Sequence, residues 1–86
     1  DSMIRARIYD GDIVFIRKQS MVDNGEIAAV VIDDEATLKR VNYYPEKNLL
    51  ILKAENPDYE DLIYTGEQLD HIIILGKAVA FQSDVR

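Results

Sequence analysis

The stretch Glu26-Ile27-Ala28-Ala29-Val30-Val31-Ile32-Asp33-Asp34-Glu35-Ala36-Thr37-Leu38-Lys39-Arg40-Val41-Asn42-Tyr43-Tyr44 decides the fold. Glu26–Ile32 is apolar and β-branched, as in a strand buried on both faces. Asp33-Asp34 makes a tight turn, and Glu35–Tyr44 runs back, so residues 26–44 read as a β-hairpin. Strand and turn signals continue on both sides. Ile13–Arg17 is a short apolar run after the turn Asp10-Gly11-Asp12. A second turn falls at Asp23-Asn24-Gly25. Pro45-Glu46-Lys47-Asn48 turns the chain into a strand over Asn48–Lys53, and Asn56-Pro57-Asp58 turns it again. Ile72–Gln82 reads as a long final strand, with Gly76 a bulge or a point of close approach. Helical signal is confined to turns near Ser20–Asp23 and Gly66–Asp70. Five or six strands with short loops predict a mainly β domain: small, twisted and partly closed.

Composition bounds the chemistry. The chain has 86 residues, 10 basic and 16 acidic, for a net charge of -6. At that length it is one domain, residues 1–86, and a chain so small buries only roughly 60–65% of its unfolded surface. No cysteine means no disulfide scaffold, no thiolate metal site and no cysteine nucleophile. With His71 the only histidine, a histidine metal site or a Ser-His-Asp triad is not expected. No metal or other cofactor is called for. The acidic balance disfavours direct contact with a phosphate backbone. The longest apolar runs, Ile27–Ile32 and Ile72–Leu75, fall far short of the ~20 residues of a membrane helix. No segment reads as a signal peptide. The opening Asp1-Ser2-Met3, without an initiator methionine, reads as the start of a piece of something longer.

The remaining nucleophiles are Ser2, Ser20, Ser83, Thr37 and Thr65. A serine hydroxyl needs a base to take its proton. Without histidine, that base is a carboxylate or a neutral lysine. Burial favours the neutral amine, and bringing a lysine from ~10.4 to ~7 costs about 4–5 kcal/mol. Lys18 and Lys47 lie at turns, Lys53 ends a strand and Lys77 sits within one. Lys39 lies mid-strand, on one face with Thr37, Val41 and Tyr43, while Leu38 and Arg40 take the other. Apolar surface can therefore cover it, although a strand lysine taken alone is more often solvated.

Five blocks carry a resemblance. Ser2-Met3 followed by Asp10-Gly11-Asp12-Ile13-Val14 resembles the nucleophile segment of the LexA-like peptidase family, which includes LexA repressors, phage repressors and UmuD-type proteins. Asn24-Gly25-Glu26-Ile27-Ala28-Ala29-Val30 resembles its next strand. Asp34-Glu35-Ala36-Thr37-Leu38-Lys39-Arg40-Val41 resembles its lysine strand. Leu52-Lys53-Ala54-Glu55-Asn56-Pro57 and Ile74-Leu75-Gly76-Lys77-Ala78-Val79 match its Asn turn and its closing strand. The blocks span nearly the whole chain in family order.

The resemblance implies a fold of the LexA C-terminal-domain type, with Ser2 as nucleophile and Lys39 as general base of a serine endopeptidase that cleaves its own linker. It implies an oxyanion site at the nucleophile turn, including the Ser2 N–H, with Met3 beside it as core or pocket wall. It further implies a cytoplasmic bacterial repressor and a homodimer joined through the C-terminal strand, Ile72 to Val85. RecA filament would stimulate cleavage, and DNA would be bound only through an N-terminal domain that this stretch lacks together with the scissile linker. Two other readings compete. One is a silent dimerisation module of the same fold, which has no need of both dyad residues. The other is an unrelated acidic β-barrel that binds a protein partner, which leaves the five blocks to chance. Among the other residues, Asp10 and Asp12 are expected to make turn hydrogen bonds rather than bind metal. Gly11 and Gly25 supply positive φ, Asn56 fixes its turn, and His71 is structural. Tyr43, Tyr44, Tyr59 and Tyr64 read as core-edge residues rather than a base-stacking platform.

Overall fold

In the computed structural model the described residues are 3–8, 12–54 and 58–82; for residues 3–8, 12, 81 and 82 the description covers the backbone. They form seven strands: β1 (Met3–Ile8), β2 (Asp12–Lys18), β3 (Ile27–Ile32), β4 (Glu35–Tyr44), β5 (Leu49–Lys53), β6 (Leu62–Thr65) and β7 (Ile72–Gln82). One sheet holds them in the order β1-β2-β7-β3-β4-β5-β6, every neighbouring pair antiparallel. The expected mainly β class holds, and the hairpin over residues 26–44 is present as β3–β4. β1 and β6 are additions to the five strands placed from sequence. Over β1, where Ile4, Ala6 and Ile8 alternate with Arg5 and Arg7, no strand was expected from sequence. β6 has four residues, too few for periodicity to register.

The β3–β4 turn is set by Asp33 and Asp34, at φ 50 and 66. Positive φ at both central residues is what a two-residue hairpin turn of matching twist requires, and aspartate tolerates it. Gly25 takes φ 92, as its place in the Asp23–Glu26 turn demands. Pro45–Lys47 and Gly66–His71 form short 3-10 turns. The second answers the helical signal near Gly66–Asp70, and Gln68 Oε1 accepts the Thr65 N–H there at 3.0 Å. The expectations for Asp10, Gly11 and Asn56, and for the Asp12 side chain, lie outside the described residues.

The core has two faces. On one, Val22, Ala28, Val30, Val41, Leu50 and Leu52 are buried, with Tyr43, Tyr64, Leu69, Ile72 and Ile74 packed against them. On the other, Val14, Ile16 and Ala29 are buried under Leu38, Leu75 and Ala78. Ala28 and Ala29 are both fully covered, so β3 is buried on both faces as its apolar run implied. Each large aliphatic side chain so covered contributes about 1.5–3 kcal/mol.

β7 bends the sheet. Its register against β3 skips Leu75, and its register against β2 skips Val79. An extra residue kinks a strand and increases its twist, and here two such bulges flank Gly76. A Cβ on Gly76 would lie 2.2 Å from the Arg17 carbonyl oxygen and 2.6 Å from Ile16 Cγ2. Gly76 is thus the point of close approach. The sheet stays open in hydrogen-bonding order, yet it curls until β1 comes within contact distance of β4.

Candidate active site

Lys39 is placed by the hairpin. It pairs with Ala28, and Ala28 pairs on its other side with Lys77 of β7. Paired residues of neighbouring strands share a face, so Lys39, Ala28 and Lys77 form one row. Along β4, Lys39 shares a face with Val41, which is fully buried. The lysine is half-buried, at the margin of the larger apolar cluster. The ladder with β5 begins one residue later, at Arg40 opposite Lys53. Lys39 therefore sits where β4 leaves its β5 partner. Leu38 packs into the opposite cluster, so β4 is anchored on both faces around the lysine.

The Asp23–Glu26 turn holds β4 in place. Asn24 acts as a one-residue strand: its Oδ1 accepts the Tyr43 N–H at 2.7 Å and its Nδ2 donates to the Tyr43 carbonyl at 3.1 Å. The Gly25 N–H donates to the Val41 carbonyl at 2.8 Å, and the Val41 N–H donates to the Glu26 carbonyl at 2.9 Å. Arg40 Nη1 donates to the Gly25 carbonyl. Glu26 closes the turn, its Oε1 accepting the Asp23 N–H at 2.8 Å while its Oε2 pairs with Lys77 Nζ. The Lys77 ammonium, and then the Asp23 N–H, hold the Glu26 carboxyl below its ordinary value of 4.5. Asn24-Gly25 was legible as a turn, but the lock onto β4 and the Glu26–Lys77 pair were not. Those contacts join residues distant in sequence and become visible only once the strands are ordered.

Met3 opens β1 and pairs with Arg17. Ser2 and the Met3 side chain lie outside the described residues. In hydrogen-bonding order β1 and β4 are four strand spacings apart, about 19 Å in a flat sheet at ~4.8 Å each. The curl brings them to within 8 Å between Cα atoms. The strand that follows Ser2 and the strand that carries Lys39 are neighbours in space, although three strands lie between them in the sheet.

A separate apolar cavity of about 200 Å3 opens between Ser20, Met21, Tyr43, Leu50, Leu69, Ile72 and Ile74. It shares the Lys39 face of β4 but lies at the far end, by Tyr43, about 13 Å along the strand at ~3.3 Å per residue. Sequence reasoning had no signal for it, because its walls come from a loop, three strands and a 3-10 turn. Among the described residues no group of three or more His, Cys, Asp or Glu side chains is arranged to hold a metal ion. No helix among them is long and apolar enough to cross a membrane.

Residues 1–79 match the Peptidase S24-like family. The chain is 46% identical over 79 residues to the LexA repressor of Desulfitobacterium hafniense (strain DSM 10664 / DCB-2), covering 92% of this chain and 35% of that protein. It is 44% identical over 85 residues to the LexA repressor of Desulforamulus reducens, covering 99% of this chain and 36% of that one. The LexA repressor of Bacillus cytotoxicus is 41% identical over 86 residues, covering 99% and 38%. This chain belongs to the Peptidase S24-like family, and the LexA-like resemblance carried by its five blocks holds. It spans little more than a third of the length of these curated relatives.

Proposed function

We propose that this chain is the self-cleavage and dimerisation domain of a LexA-like transcriptional repressor, with Ser2 and Lys39 as its catalytic dyad. The observation that carries this reading is the approach of β1, the strand that follows Ser2 in sequence, to β4, the strand of Lys39. The family match supports it, because it runs through both positions.

The chemistry follows from the two side chains. The neutral Lys39 amine takes the Ser2 hydroxyl proton as Oγ bonds to the carbonyl carbon of the scissile peptide. The negative charge that develops on the carbonyl oxygen is met by backbone N–H groups at the nucleophile turn, that of Ser2 among them. The lysine ammonium then returns the proton to the leaving amine, the C–N bond breaks, and water releases the acyl group from Ser2. Lys39 is half-buried, paired with Ala28 and on the same face of β4 as Val41. The scissile bond and the DNA-binding segment belong, on this reading, to the rest of the protein. RecA filament is the proposed stimulus and the bacterial cytoplasm the proposed setting.

The test uses the natural full-length protein at alkaline pH, where lysine amines are more often neutral. Two fragments should appear by mass spectrometry. Ser2→Ala and Lys39→Ala should each slow their appearance by at least about 100-fold. Cleavage that survives either substitution would sink the dyad. A parent that never cleaves would favour the silent dimerisation module.

A further inference from the structure

We propose that the outer edge of β6 is a strand-addition site for a short extended peptide carrying basic residues. This inference is independent of the dyad. Among the described residues β6 is the last strand of the sheet and pairs only with β5. The Gly66 N–H donates to the Asn48 carbonyl at 3.2 Å, toward the β5 side. Backbone groups alternate in direction along a strand. Tyr64 and Leu62 therefore turn their N–H and C=O groups toward β5, and Thr65 and Ile63 turn theirs outward. The Thr65 N–H is already met by Gln68 Oε1. That leaves the Ile63 N–H and C=O as the open pairing groups, with Gln68 closing one end. The site admits a strand of a few residues and no more.

The side chains around it fit a peptide. Ile63 is 61% exposed, next to the half-buried Ile51 on the same face of the sheet. Tyr59, on the approach to β6, is 67% exposed. Proteins ordinarily blunt such an edge with lysine, proline or a bulge. β6 carries no lysine or proline, and its register with β5 is regular. The charge around it has one sign. Residues 54–76 hold six acidic side chains and no lysine or arginine, and Glu60, Asp61 and Glu67 are exposed at the two ends of β6.

The same charge argues against a second copy of this chain. An antiparallel β6–β6 pair would set Glu60 and Asp61 of one copy near Glu67 of the other, in a chain whose net charge is -6. The fitting occupant pairs its backbone with Ile63, lays an apolar side chain against Ile63 and Ile51, and brings lysine or arginine to Glu60, Asp61 and Glu67. This is β-augmentation, with backbone pairing for affinity and flanking charge for selectivity.

Fluorescence anisotropy with a labelled Lys-Val-Arg-Val-Arg-Val-Lys peptide tests it, with the glutamate-for-basic version as comparison. The basic peptide should bind saturably and the acidic one at least about tenfold more weakly. Binding should weaken as salt is raised. Ile63→Pro removes the outward N–H while leaving the β5 ladder intact, and should weaken binding by about tenfold or more with the circular dichroism spectrum unchanged. The joint reversal Glu60→Lys and Asp61→Lys, both exposed, should do the same if the proline variant fails to fold. Equal binding of both peptides, or full binding by the folded Ile63→Pro chain, overturns the proposal. Self-association on sedimentation that Ile63→Pro abolishes overturns it too, in favour of a second copy.

Discussion

Glu26 does two tasks with one carboxylate: it caps the Asp23 turn and neutralises Lys77. Both partners favour the charged form, so the folded protein holds the group below the 4.5 of a free glutamate. A carboxyl whose value falls on folding stabilises the fold above its unfolded value. That contribution drains away as pH falls through the folded value. An NMR titration of the Glu26 side chain should place its midpoint below 4.5, and Lys77→Met should move it back up. An unchanged midpoint in the variant would show that the ion pair is not the cause. At this scale the sequence displayed the turn and both charges, but not that they meet.

Among the elements, β7 shapes the domain most. It lies between β2 and β3, and its two bulges bracket Gly76, which β2 crowds. Gly76→Ala puts a methyl group against a backbone carbonyl that cannot rotate away. Overpacking of that kind costs about 1–3 kcal/mol. For a domain of this size each 1 kcal/mol lowers the melting temperature by roughly 4–8 °C. A melt within about 2 °C of the parent would contradict the close approach. The special place of Gly76 was legible from one glycine in an apolar strand. The bulges at Leu75 and Val79 were not, because a skipped residue has no local signature when its neighbours are also apolar.

For the whole molecule, the position of β7 bears on dimerisation. The ladder with β3 ends at Lys77, so Ile72–Lys77 already has a neighbour on that side. Beyond it, the paired residues of β7 face β2 alone among the described ladders. We propose that the homodimer contact first assigned to Ile72 to Val85 falls on its second half, from Ala78 onward. Sedimentation should show a concentration-dependent dimer, and Ala80→Lys should shift it toward monomer. A monomer at high concentration would count against the contact.

The sequence by itself determined the class of fold, the hairpin over residues 26–44 and the family. Those rest on local alternation, on turn residues and on five blocks of side chains read in order, all of which lie within a few residues of one another. It also marked Lys39 as a residue with an apolar face beside it, because Thr37, Val41 and Tyr43 share its parity. Only the tertiary structure decided the strand order, the lock of Asn24 onto Tyr43, and the open edge at Ile63. Above all it decided the curl that carries β1 back to β4. The curvature draws on two bulges in β7 and the close approach at Gly76. Each is a small local bend, and the place where their sum takes β1 depends on which strands have become neighbours.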